Sequence, residues 1–97
     1  MEDYEICNAI HKRHRLKIWY RGGERIIEPY VFGAGDGGAP LLRAYQTSGY
    51  SRSRATGWKL FHVAEIEQFT VLEETFDAPR TGYMRNDPAL VKINCEV

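Results

Sequence analysis

Residues 15–33, RLKIWYRGGERIIEPYVFG, decide how this chain folds. Leu16, Ile18 and Tyr20 alternate with Arg15, Lys17 and Trp19, which is the period of a strand with one apolar face. RGGE (21–24) supplies the glycines of a tight hairpin, and RIIEPYVFG (25–33) is the returning strand. Pro29 has no N–H to give to a ladder, so it marks an edge or a bulge.

Upstream of this hairpin the period is helical. EDYEICNAIHKRH (2–14) spaces Tyr4, Ile6 or Cys7, and Ile10 by three and four residues. Acids open the segment and bases close it, which favours a helix over 2–13 through its macrodipole. Downstream, AGDGGAP (34–40) reads as a loop, LLRAYQ (41–46) as a third strand and TSGYSRSRATG (47–57) as a polar connection. WKLFHV (58–63) is a fourth strand, AEI (64–66) a single tight turn, and EQFTVLEETF (67–76) a fifth strand. The tail, 77–97, holds a Pro-to-Pro loop, with LVKINCEV at its end open to a last strand.

With 97 residues and 43% hydrophobic content, the expectation is one domain over 1–97 with one modest core. The expected architecture is mainly β: a small, strongly bent Sm-like β-barrel of about five strands over 15–76, preceded by one short N-terminal α-helix and followed by the tail. Curling hairpin-linked strands on themselves removes exposed edges, which a small sheet needs.

The acidic start, MEDYEICNAI, lacks the pattern of a secretory signal, and no apolar run nears the ~20 residues that span a bilayer. A cytoplasmic protein is expected, without membrane partners. Cys7 and Cys95 lie near opposite ends and could close nearly the whole chain, but a reducing compartment favours two free thiols. His11, His14 and His62 have no partners at metal-ligand spacing, so neither a metal nor a cofactor is expected.

The net charge of +0 hides a division. Residues 11–59 carry ten bases against three acids, and residues 60–97 three bases against seven acids. Either the middle presents a positive face or the two parts neutralise each other by pairing across a sheet.

RIIEPYVFG, LLRAYQ, KLFHVAEI and EETF, in this order and spacing, resemble the bacterial WYL domain over about residues 8–76. Arg25, Glu28, Pro29, Leu42, Ala44, Tyr45, Phe61 and Ile66 match the family pattern. The aromatic pair that names the family falls on Pro40 and Leu41. Its later basic positions fall on Lys59, His62 and Glu65, the last with reversed charge, and the family's acid falls on Ala64. The resemblance implies an Sm-like barrel acting as a regulatory module that senses a ligand or nucleic acid. The family's usual helix-turn-helix has no room here.

The candidate site follows from the acid-free run Gly37–Ala64. Arg52 and Arg54 share a side of an extended loop, and arginines fork onto phosphates. Trp58, Lys59 and His62 follow, and an aromatic face near such arginines can stack a base. Phe61 and Val63 take the core side of the strand, which turns Trp58 and His62 outward; alternatively Trp58 packs beneath the tail. Arg43 and Tyr45 share a side of the third strand and support the site, unless Tyr45 is buried. Arg15, Lys17 and Trp19 form either a solvated face or a continuing phosphate track.

GAGDGG (33–38) lacks the Lys-Ser/Thr ending of a phosphate loop. No nucleophile elbow, Cys–His pair or acid–base carboxylate pair is legible, so an enzyme is not expected. The expected function is binding of an anion, a nucleic acid or a nucleotide. The alternative is a protein-interaction or dimerisation module using a strand edge and the tail residues Tyr83 and Met84.

Overall fold

A computed structural model describes residues 2–51 and 55–97. The helix α1 spans Asp3–Lys12. The backbone N–H of Glu2 donates to Glu5 Oε1 at 3.0 Å, which closes its first turn. Ile6, Ala9 and Ile10 are buried beneath it, whereas Tyr4, assigned by spacing to the apolar face, is 73% exposed. Tyr4 lies in the first turn of α1.

The strands are β1 (His14–Tyr20), β2 (Gly23–Ala34), β3 (Pro40–Gly49), β4 (Gly57–His62), β5 (Ile66–Thr75) and β6 (Lys92–Glu96). Arg21 and Gly22, both at positive φ, make the two-residue hairpin loop between β1 and β2. Leu16, Ile18 and Tyr20 are buried, as their alternation requires. Single 3-10 turns at Asp36–Gly38 and Val63–Glu65 complete the connections.

β2 is the spine. Its first half pairs antiparallel with β1, its full length with β3 and its second half with β6. Twelve extended residues would reach about 40 Å, yet the molecule measures only 28 × 26 × 26 Å, so β2 must bend. The register shift between Pro29 and Val31 is the bulge Pro29 predicted.

The sheet runs β4-β3-β2-β1-β5, and β6 lies off this path beside β2. It is therefore an antiparallel six-stranded sheet, and among the described residues its end strands, β4 and β5, share no ladder. The expected mainly β fold with one short N-terminal helix is met, with six strands where about five were expected and with a sheet that is not closed. The additional strand comes from the tail and takes the part of the β2 edge that β1 leaves bare beyond Ile27.

Two hydrophobic clusters result. Ile6, Ala9 and Ile10 of α1 join Leu16, Ile18, Tyr20, Ile27, Phe32, Leu42, Ala44 and Phe61 in the first. Tyr30, Val31, Leu41, Phe76 and Leu90 form the second, with Tyr45, Trp58 and Tyr83 packed against it. The tail thus covers one cluster and α1 the other.

Cys7 of α1 and Cys95 of β6 are disulfide-bonded, with Cα atoms 5.7 Å apart, which corrects the expectation of free thiols. Both elements pack on the first cluster, so a large separation in sequence becomes contact in space. No helix among the described residues is long and apolar enough to cross a membrane.

Candidate functional site: a cleft around a buried arginine

Arg25 occupies a core position. The hairpin pairs it with Ile18, and it alternates with buried Gly23 and Ile27, so its side chain enters the face that is otherwise hydrocarbon. The residue is 5% exposed. Its guanidinium carbon lies 5.0 Å from the Tyr20 ring centroid, 5.4 Å from Tyr50 and 5.7 Å from Phe61.

Hydrogen bonding does not complete this environment. Nη2 donates to the Tyr20 carbonyl at 3.2 Å and Nη1 to Gln46 Oε1 at a long 3.4 Å. Among the described residues, Nε is buried without a partner. None of the ion pairs formed among the described residues involves Arg25. Burial lowers its pKa from the ordinary value, a pull opposed by Tyr20 and Tyr50 and reinforced by Arg21. An arginine stays protonated under any such pull. The site therefore holds a fixed positive charge.

Local sequence makes this geometry. Gln46, fully buried, donates from Nε2 to the Tyr50 carbonyl at 2.9 Å, and the Tyr50 N–H donates to the Glu24 carbonyl at 2.9 Å. The chain can wrap so closely because Gly23 and Gly49 have no Cβ. One at Gly23 would meet the Tyr50 ring, and one at Gly49 would stand 2.8 Å from Arg25 Cα.

Beside Arg25 opens a cavity of about 230 Å³ lined by Tyr20, Arg21, Arg25, Ser51, Lys59, Leu60 and Phe61. Lys59 Nζ donates to Ser51 Oγ at 3.2 Å. Arg21 binds Glu65 through two hydrogen bonds of 2.8 Å. That bond raises the Arg21 pKa and lowers that of Glu65. The Tyr20 hydroxyl accepts from the His62 N–H at 3.0 Å, tying the end of β4 to the cleft wall. Fixed guanidinium and ammonium donors beside aromatic walls are the chemistry of anion recognition.

The sheet separates the residues expected to act together. Lys59 lines the Arg25 cleft, and His62 is exposed at the end of β4. Arg52 and Arg54 lie outside the described residues. Arg43, Tyr45 and Trp58 face the tail. Trp58 is not turned outward: it is half-buried, donates from Nε1 to the Thr81 carbonyl at 3.0 Å, and meets Tyr30 edge-on at 4.8 Å. A Cβ at Gly82 would come within 2.7 Å of Trp58 Nε1, so the glycine is what lets the tail close over the indole. Of the two places expected for Trp58, the structure shows the second, beneath the tail.

Arg43 and Tyr45 share a side, as β3 requires, and both are engaged. Arg43 pairs with buried Asp87 through Nε and Nη2, which holds the aspartate below its ordinary pKa. Tyr45 lies under the Arg80 guanidinium, 4.1 Å from ring centroid to carbon. Arg80 also binds fully buried Glu28 through two bonds of 2.8 Å, and Arg15 binds the same carboxylate at 3.1 and 3.2 Å. Burial pushes the Glu28 pKa up, but the bonds from Arg80 and Arg15 outweigh it, and the net shift is downward.

Pairing among the described residues resolves part of the charge division. Arg21, Arg15 and Arg43 from the basic middle meet Glu65, Glu74 and Asp87, while Glu28 takes Arg80 from the tail. Arg25 stands apart from these pairs. The sequence contained one signal for it, a base in phase with Ile27 on an alternating strand. A second cavity, of about 210 Å³, lies under the tail and is lined by Arg43, Trp58, Gly82, Met84, Asp87 and Pro88. Comparison of the chain with family models, curated proteins and solved structures returns no match.

Proposed function

We propose that this chain is a small regulatory binding module, not an enzyme, that takes an anionic ligand, a nucleotide or nucleic acid, in the cleft around Arg25. The observation that carries the reading is a guanidinium, 5% exposed, that forms none of the ion pairs among the described residues. Ring contacts offset part of its desolvation, about 0.5–2 kcal/mol each. An orphaned buried donor still costs about 1–3 kcal/mol. An anion in the cleft supplies the counter-charge that the described residues do not.

The WYL-like reading is part of the same proposal. The strand order, the one-turn link between β4 and β5, and a helix over one cluster support an Sm-like relationship. Glu65, where the family carries a base, binds Arg21 at the cleft, which supports an altered ligand rather than a lost one. The regulatory role rests on the resemblance alone. The Cys7–Cys95 bond favours an oxidising compartment over the cytoplasm expected from the sequence.

A second reading is favoured by Met84, 61% exposed beside the tail cavity with Trp58 and Pro88. There the module docks a protein or a second copy, and the basic cleft is incidental. Anisotropy titrations with labelled single-stranded DNA and RNA at low and moderate salt separate the two. Phosphate contacts weaken steeply with salt, by a log–log slope of about −0.7 per phosphate neutralised on single strands. Lys59→Ala should weaken that binding, as should Arg52→Ala/Arg54→Ala in the segment following Ser51. Absence of binding at low salt refutes the anion reading and leaves the docking one.

A further inference from the structure

A second site lies on the other side of the sheet and does not depend on the Arg25 cleft. Ile18, opposite Arg25, faces the core, so the next residue of β1, Trp19, faces outward. Trp19 is 40% exposed, although β1 is an inner strand between β2 and β5. It belongs to neither hydrophobic cluster.

The strand register surrounds this indole with polar side chains. Glu24 of β2 and Gln68 of β5 stand directly opposite Trp19, one on each side. Directly opposed residues share a face, with Cβ atoms about 4.5–5.5 Å apart. Lys17, two residues back, and its partner Thr70 extend the same face. Glu67 sits in the register shift beside Trp19. None of these six side chains forms a hydrogen bond or ion pair among the described residues. Their backbone is held by ladders, so the group stands on a rigid support. Two hollows share Trp19 and Gln68 as walls. One is an open depression of about 440 Å³ completed by Glu67, the other a notch of about 40 Å³ lined in part by Lys17, Glu24 and Thr70.

The mixture of groups selects the ligand. A phosphate needs donors and positive charge, but Glu24 and Glu67 outnumber Lys17. A cation needs acceptors and is best held in a cage of rings; here there is one ring, with Lys17 beside it. A neutral sugar ring needs both kinds of partner, because every hydroxyl donates and accepts. Lys17 and the indole Nε1–H donate, the two carboxylates accept, and Gln68 and Thr70 do both. The C–H face of the ring packs on the electron-rich indole face, and its equatorial hydroxyls point towards the flanking strands. The notch has room for one exocyclic hydroxyl, since a water needs only roughly 10–15 Å³.

We propose that Trp19 is the platform of a carbohydrate site, on which a neutral pyranose stacks while Glu24, Gln68 and Lys17 hold its hydroxyls.

The test follows the indole N–H resonances of Trp19 and Trp58 in the oxidised protein. Hexasaccharides of β-linked glucose, galactose and N-acetylglucosamine are titrated one at a time. At least one should shift the Trp19 resonance saturably and leave that of Trp58, bonded to the Thr81 carbonyl, in place. By calorimetry, Trp19→Ala should weaken binding more than about tenfold, as loss of an aromatic anchor does, with the melting temperature unchanged. Gln68→Ala should weaken it by roughly threefold to tenfold, the loss of one hydrogen bond. Moderate salt should leave the affinity unaltered, and so should Lys59→Ala in the Arg25 cleft, so this site and that one stand or fall separately. No Trp19 shift with any of the three saccharides overturns the proposal, as does saccharide binding that survives Trp19→Ala. A shift produced only by tetramethylammonium overturns it in favour of a cation site, and one produced only by single-stranded DNA in favour of a nucleic-acid surface.

Discussion

Arg25 and Glu28 lie three residues apart on β2, and both put charge where neighbouring side chains are apolar, with opposite consequences. Glu28 is answered by Arg15 and Arg80. Breaking a buried pair typically costs about 3–5 kcal/mol, so Glu28→Gln should lower stability by that order in denaturant unfolding at pH 7. Its folded pKa is depressed, so its contribution is present above the unfolded value of about 4.3 and lost as pH falls through the lower folded value. The parent should therefore lose stability in acid over that window, and Glu28→Gln should show a shallower decline. Arg25 has no such partner to lose. Exchanging a buried charge for a hydrophobe of similar volume is often neutral or stabilising by about 1–4 kcal/mol. Arg25→Met should thus hold or raise the melting temperature while abolishing anion binding. A strongly destabilised Arg25→Met protein would mark the residue as structural instead. Strand alternation puts Arg25 in phase with Ile27 and Glu28 on the opposite face; it did not reveal which would find a counter-charge, because Arg80 lies in an irregular tail whose path no period encodes.

At the scale of elements, β2 works because its bulge lets one edge serve two partners. β1 takes the stretch before Pro29 and β6 the stretch after it. The hairpin of β1 and β2 was legible from alternation and the glycine turn, and Pro29 announced the bulge. The docking of β6 was not legible, because KINCE is short and its register depends on where the bulge leaves an edge exposed. Gly33 is the contact that admits it: a Cβ there would collide with the Lys92 carbonyl and stand 3.0 Å from Ile93 Cα. Gly33→Ala should push β6 away. Amide exchange at residues 92–96 should accelerate by more than tenfold, equivalent to over 1.4 kcal/mol of local stability, while the β1–β2 amides stay protected. Unchanged exchange at β6 would place its anchoring elsewhere.

Across the whole molecule, a neutral chain with a divided charge folds so that bases from the middle meet acids from the last third. Composition allowed that outcome and a positive face equally, and the three-dimensional path realises the pairing for Arg15, Arg21 and Arg43. The cysteines teach the same lesson: a sequence separation of 88 carried no hint that α1 and β6 pack on one cluster. Closing a loop of that length restricts the unfolded chain by about 4–5 kcal/mol in the entropic model. At roughly 4–8 °C per kcal/mol for a domain near this size, reduction should lower the melting temperature by well over 10 °C, as read by circular dichroism with and without reductant.

That bond also fixes how the molecule would answer a mechanical load. Tension applied at its two ends passes from Cys7 to Cys95, so apart from the contacts of Glu96 and Val97 with β2 the ladders carry none of it. Only when the link is reduced does the pull reach the rest of β2 and its partners, and about 300 Å of stored contour becomes extensible. Oxidised, the protein is a short inextensible tether; reduced, it is a spring.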